Sequence, residues 1–430
     1  MAHIRQKEKI GRSRRLGSRP GPRHLQRRPA CTEGERTQMP KGDSYDYRLV
    51  HSMRYQKSPL FQVFRRLGAT SFLWYNHLLH AVDFDGQTKE QEYWAIRNAA
   101  TLWDVGVERP VEIDGPEGFA LMDLLTPRDM RKCAIGQGKY ALICDEHGAV
   151  VNDPVVLRMG ENRFWLCPSD SDVHLWAKGV AVGAGLRATV RLTDVYPVQI
   201  QGPKSPDVLE AVIGDRIRTL RYYWWMEAQF PGKIPVLITR TGWTGEVGYE
   251  VFLMDNSRAE EMVNLIMERG KPLGLIPAGP NHARRVEAGI LNNQSDMDLT
   301  TNLYELGLEW QIEPKQRFIG KETLERIRRD GITRKLVGFE VEGQPAQHEF
   351  EGPWTVYKGG TAIGRASAFV FSPTLKKNIG LAMLKIEHTK PGERIEVQRL
   401  PGETRHQATV VTLPFIDPKK AIPKRRLDAS

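Results

Sequence analysis

Cysteine is scarce in this chain of 430 residues, which has four of them: Cys31, Cys133, Cys144 and Cys167. They are scattered and form no C-x-x-C pair, which argues against a disulfide framework and against a zinc site. Such usage fits a reducing compartment, so we expect a cytoplasmic protein. Cys144 and Cys167 lie in apolar, strand-like runs, and we expect both to pack in the core.

Long apolar runs and the common catalytic motifs are also missing. No run of 18 apolar residues occurs, so we expect neither a membrane span nor a membrane partner. The chain has no H-E-x-x-H, no G-x-S-x-G, no Walker A sequence and no G-x-G-x-x-G that follows a strand. These absences disfavour metal sites, serine hydrolases, phosphate-loop enzymes and dinucleotide enzymes, and we expect no metal cofactor.

Acidic residues are scarce at the amino terminus. Residues 1–41 contain twelve Lys and Arg but three acidic residues, which accounts for nearly all of the net charge of +10. The rest of the chain is almost neutral, so we expect no nucleic-acid partner. Because this segment is rich in Arg and poor in large apolar residues, we expect it to be disordered. A transit peptide or a basic arm would also fit, but we favour an over-extended start, with Met39 or Met53 closer to the functional beginning.

Strand-like and helix-like segments alternate along most of the chain, and hairpins interrupt the alternation. A helical pattern covers 85–103, and strand-like runs cover 140–144 and 150–157. This mixture predicts an α+β fold with mixed sheets. From Lys335 onward, short β segments separated by Gly and Pro are typical of a small antiparallel barrel. The predicted organisation is a basic extension at 1–45, a catalytic region of two interleaved α+β domains at 46–330, a barrel domain at 331–420 and a basic tail at 421–430.

The segment Thr241–Glu250 reads T-G-W-T-G-E-V-G-Y-E, a glycine-rich turn that runs into a strand-like stretch. Glycine permits positive φ and a close approach of the backbone to a ligand. A carboxylate held there beside Trp243 could accept two hydrogen bonds from an amino-pyrimidine, such as the ring of a folate. A hairpin with Glu246 in solvent and Glu250 on an exposed face also explains the segment, and the segment taken alone favours this structural explanation.

Asp153 and a high density of aromatic residues are further candidates for a site. Asp153 stands in Asn152-Asp153-Pro154 between two apolar stretches, where an acid is costly unless it is paired or used. Pro154 interrupts strand pairing, so we expect the strand to open towards a cavity. Aromatic residues such as Tyr75 and Trp225 offer faces for a flat ring or a cation, although we expect at least half of these rings to pack in the core.

Several separated segments together resemble the glycine cleavage T-protein (aminomethyltransferase) superfamily over about residues 55–415. The resemblance rests on 242–250, Q-G-P at 201–203, R-V-E-A-G at 285–289 and S-P-T-L-K-K-N-I-G-L-A at 372–382. The segments Y-N-H-L-L at 75–79, W-D-V at 103–105, T-P-R-D at 126–129 and N-D-P-V at 152–155 are most similar to the dimethylsulfoniopropionate demethylase branch. The resemblance implies a three-domain cloverleaf of mixed sheets, a C-terminal antiparallel barrel-like domain, and tetrahydrofolate in a central channel.

The resemblance also implies roles for single residues. Glu250 would hold the pterin ring by paired hydrogen bonds. Trp243 and Tyr140 would line the cofactor pocket beside it. Asp153, the implied catalytic residue, would lie nearest the reacting nitrogen.

Two departures from the T-protein pattern argue against aminomethyl transfer from a lipoyl carrier. Asn152 replaces the first acid of an acidic pair, and Asn281, expected among the cofactor-binding residues, replaces an arginine. The folate-binding branch that assembles iron–sulfur clusters is also disfavoured, because its K-G-C-Y-x-G-Q signature is missing.

The implied activity is transfer of a methyl group from a small sulfonium compound to tetrahydrofolate, which gives 5-methyltetrahydrofolate and a thioether acid. A sulfonium methyl is already activated, so the protein would mainly align the two reactants. Tyr75, Trp225 and Arg109 are the expected donor-binding residues, with Arg109 on the donor carboxylate. A betaine or methylated amine, an aryl methyl ether, glycine-cleavage aminomethyl transfer and a non-catalytic folate-binding protein stay open, as do a monomer and a homodimer.

Overall fold

The structure, a computed structural model, describes residues 55–314, 317–345, 354–399 and 403–427. The basic extension predicted at 1–45 lies outside these residues. The helices are α1 (Phe61–Arg66), α2 (Lys89–Asn98), α3 (Gly118–Leu125), α4 (Val173–Gly183), α5 (Ser205–Ile213), α6 (Ala259–Gly270), α7 (His282–Glu287), α8 (Lys321–Asp330) and α9 (Ala421–Lys424). The strands are β1 (Ala69–Tyr75), β2 (Leu78–Phe84), β3 (Ala100–Asp104), β4 (Val111–Asp114), β5 (Gly138–Tyr140), β6 (Ile143–Cys144), β7 (Val150–Asn152), β8 (Val155–Arg158), β9 (Phe164–Cys167), β10 (Thr189–Leu192), β11 (Tyr196–Gln201), β12 (Trp225–Phe230), β13 (Ile234–Thr239), β14 (Gly248–Leu253), β15 (Leu275–Pro277), β16 (Arg334–Val341), β17 (Trp354–Lys358), β18 (Thr361–Ser372), β19 (Lys377–Lys385), β20 (Arg394–Gln398) and β21 (His406–Val411).

A six-stranded sheet with the order β12-β13-β14-β11-β3-β15 lies at the centre of the first two thirds of the chain. Its strands pair antiparallel except β15, which runs parallel to β3. Alternate residues of β11 and β14, such as Val198 and Val251, belong to one core cluster with residues of α5 and α6, such as Leu209 and Ile266. The residues between them therefore project from the opposite face, because side chains alternate along a strand.

The helical pattern predicted over 85–103 runs too far at its carboxyl end. Thr88 begins α2 with a capping box, in which its side chain accepts a hydrogen bond from Gln91 and the Gln91 side chain accepts one from Thr88. The helix ends at Asn98, and Leu102 and Trp103 lie in β3 instead. Every residue of β3 is buried, so its apolar run lacks the alternation that would have marked a strand.

A five-stranded sheet with the order β10-β4-β9-β8-β5 packs against α3 and α4. The strand predicted over 150–157 is two strands, because β7 ends before Asp153-Pro154 and pairs with β6 rather than with this sheet. Pro154 cannot donate a backbone hydrogen bond, which explains the break. Cys144 and Cys167 are buried, as predicted.

The last part of the chain forms a closed barrel of antiparallel strands with the order β16-β19-β18-β17-β20-β21, in which β16 pairs with both β19 and β21. One core cluster fills the barrel, and another joins it to α7. The predicted α+β class, the mixed sheets and the C-terminal antiparallel barrel are confirmed. Within the described ranges, no helix has both the length and the apolar character needed to cross a lipid bilayer.

Candidate active site

A row of side chains crosses the six-stranded sheet on the face away from α5 and α6. The strand register pairs Thr239 with Glu250, Glu250 with Gln199, and Gln199 with Trp103. Directly paired residues project from the same face of a sheet, so these four side chains lie side by side. Gln199 donates from Nε2 to Oε1 of Glu250 at 2.9 Å, and Thr239 donates from Oγ1 to Oε2 at 3.4 Å.

Glu250 is a buried carboxylate held by neutral donors. Its residue is 5% exposed, and burial raises the pKa of Glu250 to about 7, although hydrogen bonds from Thr241, Thr239 and Gln199 lower it in part. The Oε1 atom of Gln199 beside it is buried and has no hydrogen-bond partner in the described part of the chain. A buried acceptor without a donor is costly unless a ligand supplies one. The row therefore offers carboxylate and amide oxygens to a ligand.

Asp153 provides a second buried carboxyl group, at the break between β7 and β8. Tyr140 donates from its hydroxyl to Oδ2 of Asp153 at 3.0 Å, and Ser169 donates from Oγ to Oδ1. Burial raises the pKa of Asp153 to about 7, against the opposite effect of these two hydrogen bonds. The adjacent Asn152 donates from Nδ2 to the carbonyl of Ser169 at 2.9 Å and to Oγ of Ser171 at 2.7 Å, so it fixes the loop that carries Ser169.

Glu250 and Asp153 line one cavity of about 480 Å³, a volume within the usual range of small-molecule sites. Much of the remaining wall is aromatic, and flat rings of this kind suit either a planar ligand or a cation. The aromatic residues that line the cavity are Trp74, Tyr75, Trp103, Tyr140, Tyr222, Tyr223, Trp243 and Trp310.

Two further carboxyl groups, those of Glu108 and Asp170, line the same cavity. Oδ1 of Asp170 accepts a hydrogen bond from the backbone N–H of Asn76 at 2.7 Å. Glu108 ends a short 3₁₀ turn after β3, and burial, followed by the charges of Glu250 and Asp153, raises the pKa of Glu108 well above its usual range. Among the described residues that line the cavity, Lys420 is the only Lys or Arg. Four carboxyl groups around one cavity favour a cationic ligand over an anionic one.

A comparison with protein families matches residues 60–316 to the GCVT N-terminal domain and residues 334–417 to the glycine cleavage T-protein C-terminal barrel domain. The chain belongs to the glycine cleavage T-protein family. Both halves of the family pattern are therefore present in this member, in the family order.

Similarity to individual members of the glycine cleavage T-protein family extends over most of this chain. The aminomethyltransferases of Halothermothrix orenii and Symbiobacterium thermophilum are 30% and 31% identical to this chain, over 84% and 80% of it and over 100% and 92% of their own lengths. The dimethylsulfoniopropionate demethylase of Ruegeria pomeroyi is 28% identical over 82% of this chain and 95% of that protein. The crystal structure of glycine cleavage system aminomethyltransferase T from Bartonella henselae has the same fold, with a TM-score of 0.75 at 21% identity over 84% of this chain and 98% of that one.

Folate-dependent one-carbon transfer is the chemistry of the glycine cleavage T-protein family, so the expected enzyme class and the expected acceptor, tetrahydrofolate, are confirmed for this member. The cavity fits that molecule. The carboxylate of Glu250 and the unpartnered Oε1 of Gln199 can accept hydrogen bonds from the amino and ring N–H groups of a pterin. In the described residues, no group of three or more His, Cys, Asp or Glu is placed to hold a metal ion.

The structure brings five of the predicted site residues together: Tyr75, Tyr140, Asp153, Trp243 and Glu250 all line the cavity. They come from β1, β5, the β7–β8 break, the glycine-rich turn and β14, which are far apart in the sequence. Their individual roles stay predictions.

Three other predicted site residues do not line the cavity. Arg109 donates from Nη1 to the hydroxyl of Tyr196 at 3.0 Å, and Trp225 donates from Nε1 to the carbonyl of Arg158 at 3.3 Å. Both side chains therefore already have protein partners.

Asn281, the third of these residues, begins α7. Its Oδ1 accepts a hydrogen bond from the backbone N–H of Arg284 at 3.2 Å, and its Nδ2 donates to the carbonyl of Lys89 at 3.1 Å. The side chain is fully buried and capping the helix uses it. Its neighbours Pro280 and His282 line the cavity instead.

Sequence reasoning missed Gln199, which lines the cavity. Its signal was weak, because it is one of two glutamines in the strand Y-P-V-Q-I-Q. Glu108 and Tyr223 also line the cavity. Tyr223 belonged to the aromatic run 222–225 expected to offer ring faces, and Glu108 to a segment that resembles the demethylase branch, but neither was predicted as a site residue.

Glu246 is buried, and so is Glu250, whereas the structural explanation of the glycine-rich turn placed Glu246 in solvent and Glu250 on an exposed face. The carboxylate of Glu246 forms ion pairs with Arg97 and with Arg284, the latter at 3.2 Å. Thr244 accepts a hydrogen bond from the backbone N–H of Glu246 at 3.2 Å. Glu246 thus joins the turn to α2 and α7 and does not line the large cavity.

Proposed function

We propose that this protein is a tetrahydrofolate-dependent demethylase that takes a methyl group from a small sulfonium compound of the dimethylsulfoniopropionate type. One observation carries the proposal. Four carboxyl groups, those of Glu108, Asp153, Asp170 and Glu250, and many aromatic rings surround a single cavity, and Lys420 is the only Lys or Arg among the described residues that line it. Such walls favour a donor whose methylated centre is positively charged.

The charge distribution would act directly on such a donor. A sulfonium held over an aromatic face gains roughly 0.5–2 kcal/mol for a good contact. The carboxylates of Glu108, Asp153 and Glu250 would be stabilised by the same positive charge, which would lower their raised pKa values. Binding of a cation and ionisation of the site would therefore support each other.

The folate half of the site would rest on the six-stranded sheet. Glu250 and Gln199 would accept hydrogen bonds from the pterin, and Trp243 would pack beside its ring. Tetrahydrofolate supplies the nitrogen on which the methyl group ends. The protein's own contribution is alignment, since holding two reactants in place lowers a barrier by several kcal/mol.

Asp153 would face the reacting groups. Tyr140 and Ser169 both donate hydrogen bonds to its carboxylate, so its orientation is set before a ligand binds. An ionised Asp153 would stabilise the positive charge of the donor. The lining residue Asn293 donates from Nδ2 to Oγ of Ser169 at 3.2 Å and so supports that arrangement.

The experiment is a donor panel. Purified protein is incubated with tetrahydrofolate and, separately, dimethylsulfoniopropionate, glycine betaine, a methoxybenzoate or an aminomethylated lipoyl carrier protein, and the folate product is identified by mass spectrometry. We expect 5-methyltetrahydrofolate from the sulfonium donor. Product from the betaine or the ether alone would move the function to another demethylase, and 5,10-methylenetetrahydrofolate from the carrier would move it to glycine cleavage.

Matched variants distinguish a loss of activity at the site from a general effect of removing a charge. Asp153→Asn should lose most of the product, whereas Glu227→Gln, a charge-removing change at an exposed position of β12, should keep it. No methylated folate from any donor would refute the proposal.

A further inference from the structure

The chain leaves the barrel after β21 and returns to the six-stranded sheet as a segment that we name the C-terminal segment, residues 412–427. The backbone N–H of Ile416 donates to the carbonyl of Glu287 at 3.0 Å. Arg240, a buried residue after β13, donates from Nη2 to the carbonyl of Pro423 at 3.0 Å and also to that of Arg425. Leu427 packs in the core cluster beneath the sheet. The segment is therefore docked along its length.

A tight turn in this segment places Lys420 on the large cavity. The carboxylate of Asp417 accepts hydrogen bonds from the backbone N–H groups of Ala421 and Ile422, both at 2.8 Å, which fixes the start of α9. The backbone N–H of Lys420 donates to the carbonyl of Asp417 at 2.8 Å, and Lys420 has a φ of 51°. Lys420 then lines the cavity together with Tyr222, Gly242 and Ile290.

The ammonium group of Lys420 has no hydrogen-bond or ion-pair partner in the described ranges. Its neighbour Lys424, in contrast, donates from Nζ to the carbonyl of Lys419 at 3.4 Å. Lys420 is exposed, and partial desolvation by the surrounding chain, with a smaller contribution from Lys424, lowers its pKa. A partly desolvated ammonium without a partner interacts more strongly with an anion than a fully hydrated one does.

We propose that Lys420 binds a carboxylate of a ligand at the rim of the cavity. The carboxyl groups of Glu108, Asp153 and Glu250 repel a further anion inside, whereas Lys420 offers positive charge where the cavity meets solvent. The sulfonium donor of the proposed function carries such a carboxylate, and so does the glutamate end of tetrahydrofolate. The part of this inference that concerns the donor rests on the proposed function. Lys420 lies beyond residue 417, where the match to the family's barrel domain ends.

The test compares ligands that have or lack the carboxylate. Lys420→Met keeps the apolar stem and removes the charge, Lys420→Arg keeps the charge, and Lys424→Met makes the same change one turn away. For the folate source, binding of 5-formyltetrahydrofolate and of 5-formyl-6-methyltetrahydropterin, which lacks the glutamate, is measured by calorimetry. For the donor source, KM is measured for dimethylsulfoniopropionate and for trimethylsulfonium, which has no carboxylate.

We expect Lys420→Met to weaken binding of one carboxylate-bearing ligand by about two- to fivefold, with binding of its carboxylate-free counterpart unchanged. Lys420→Arg should restore most of the loss, and Lys424→Met should have no effect. A loss confined to 5-formyltetrahydrofolate assigns Lys420 to the folate, and one confined to dimethylsulfoniopropionate assigns it to the donor. Equal effects on both members of each pair, or no effect on any ligand, overturn the inference. The calorimetric arm gives its answer even if no donor in the panel is demethylated.

Discussion

Replacement of Glu250 by glutamine tests the buried carboxylate most directly, because the change keeps the size of the side chain and removes its charge. Burial raises the pKa of Glu250 from its ordinary 4.5 to about 7. Since the folded-state pKa lies above the unfolded-state value, the group stabilises the fold fully below pH 4.5, and that stabilisation is lost as the pH rises through 7. Glutamine has no charge to desolvate, so Glu250→Gln should be more stable than the wild type at high pH.

The size of this effect on stability follows from the difference between the folded-state and unfolded-state pKa values of Glu250. At about 1.4 kcal/mol per pKa unit, ionisation of Glu250 costs the folded protein roughly 3 kcal/mol at pH 8 and roughly 1 kcal/mol at pH 5. Glu250→Gln should therefore raise the free energy of unfolding by about 2 kcal/mol more at pH 8 than at pH 5. Urea denaturation of the folate-free protein at both pH values measures the difference. Glu227→Gln, the same change at an exposed position, should show no such difference.

Glu250→Gln should weaken folate binding, although it should stabilise the fold at high pH. A hydrogen bond to a charged acceptor contributes about 1.5–3 kcal/mol, so Glu250→Gln should bind 5-formyltetrahydrofolate at least about tenfold more weakly. Calorimetry at pH 7.5 measures this affinity. An equal gain in stability at both pH values, or wild-type affinity for the folate, would refute the argument that Glu250 is a desolvated, ligand-binding carboxylate.

Three further predictions concern Asp153, the Arg285–Asp296 ion pair and Gly245. Asp153→Asn should lower kcat by about ten- to a hundredfold and remove the rise in activity through pH 7 that ionisation of Asp153 produces; pH–rate profiles of both proteins check this, and an identical profile contradicts it. Arg285→Met should destabilise the fold by about 3–5 kcal/mol in urea, because it leaves the fully buried carboxylate of Asp296 without its ion pair, and a second change of Asp296→Asn should recover a large part of the loss. Gly245→Ala should lower stability by about 1–3 kcal/mol, because Gly245 has a φ of +71° and an added Cβ would lie 2.7 Å from a neighbouring side chain, whereas Gly179→Ala, with open space around it, should be neutral or slightly stabilising.

Local pattern was enough for the elements whose ends are marked by turn residues. The strand after the glycine-rich turn, which holds Glu250, was predicted although every residue of it is buried, and the Gly- and Pro-punctuated strands of the barrel were predicted for the same reason. The end of α2 was not predicted correctly, because the following strand β3 is buried on both faces and shows no alternation of polar and apolar residues. The break at Asp153 was visible from Pro154, but the transfer of β7 to another sheet was not.

The family, the class of fold and two acids that line the cavity could be predicted from the sequence, because glycine turns, Asp153 and Glu250 are recognisable as residues in a motif. The tertiary structure alone decided which side chains share the cavity. Gln199 lies beside Glu250 through a strand register, and Lys420 reaches the rim through a returning segment. The side chains of Asn281 and Trp225 form hydrogen bonds to other parts of the chain and do not line the cavity. Such contacts join residues that are distant in the sequence, and no local pattern encodes them.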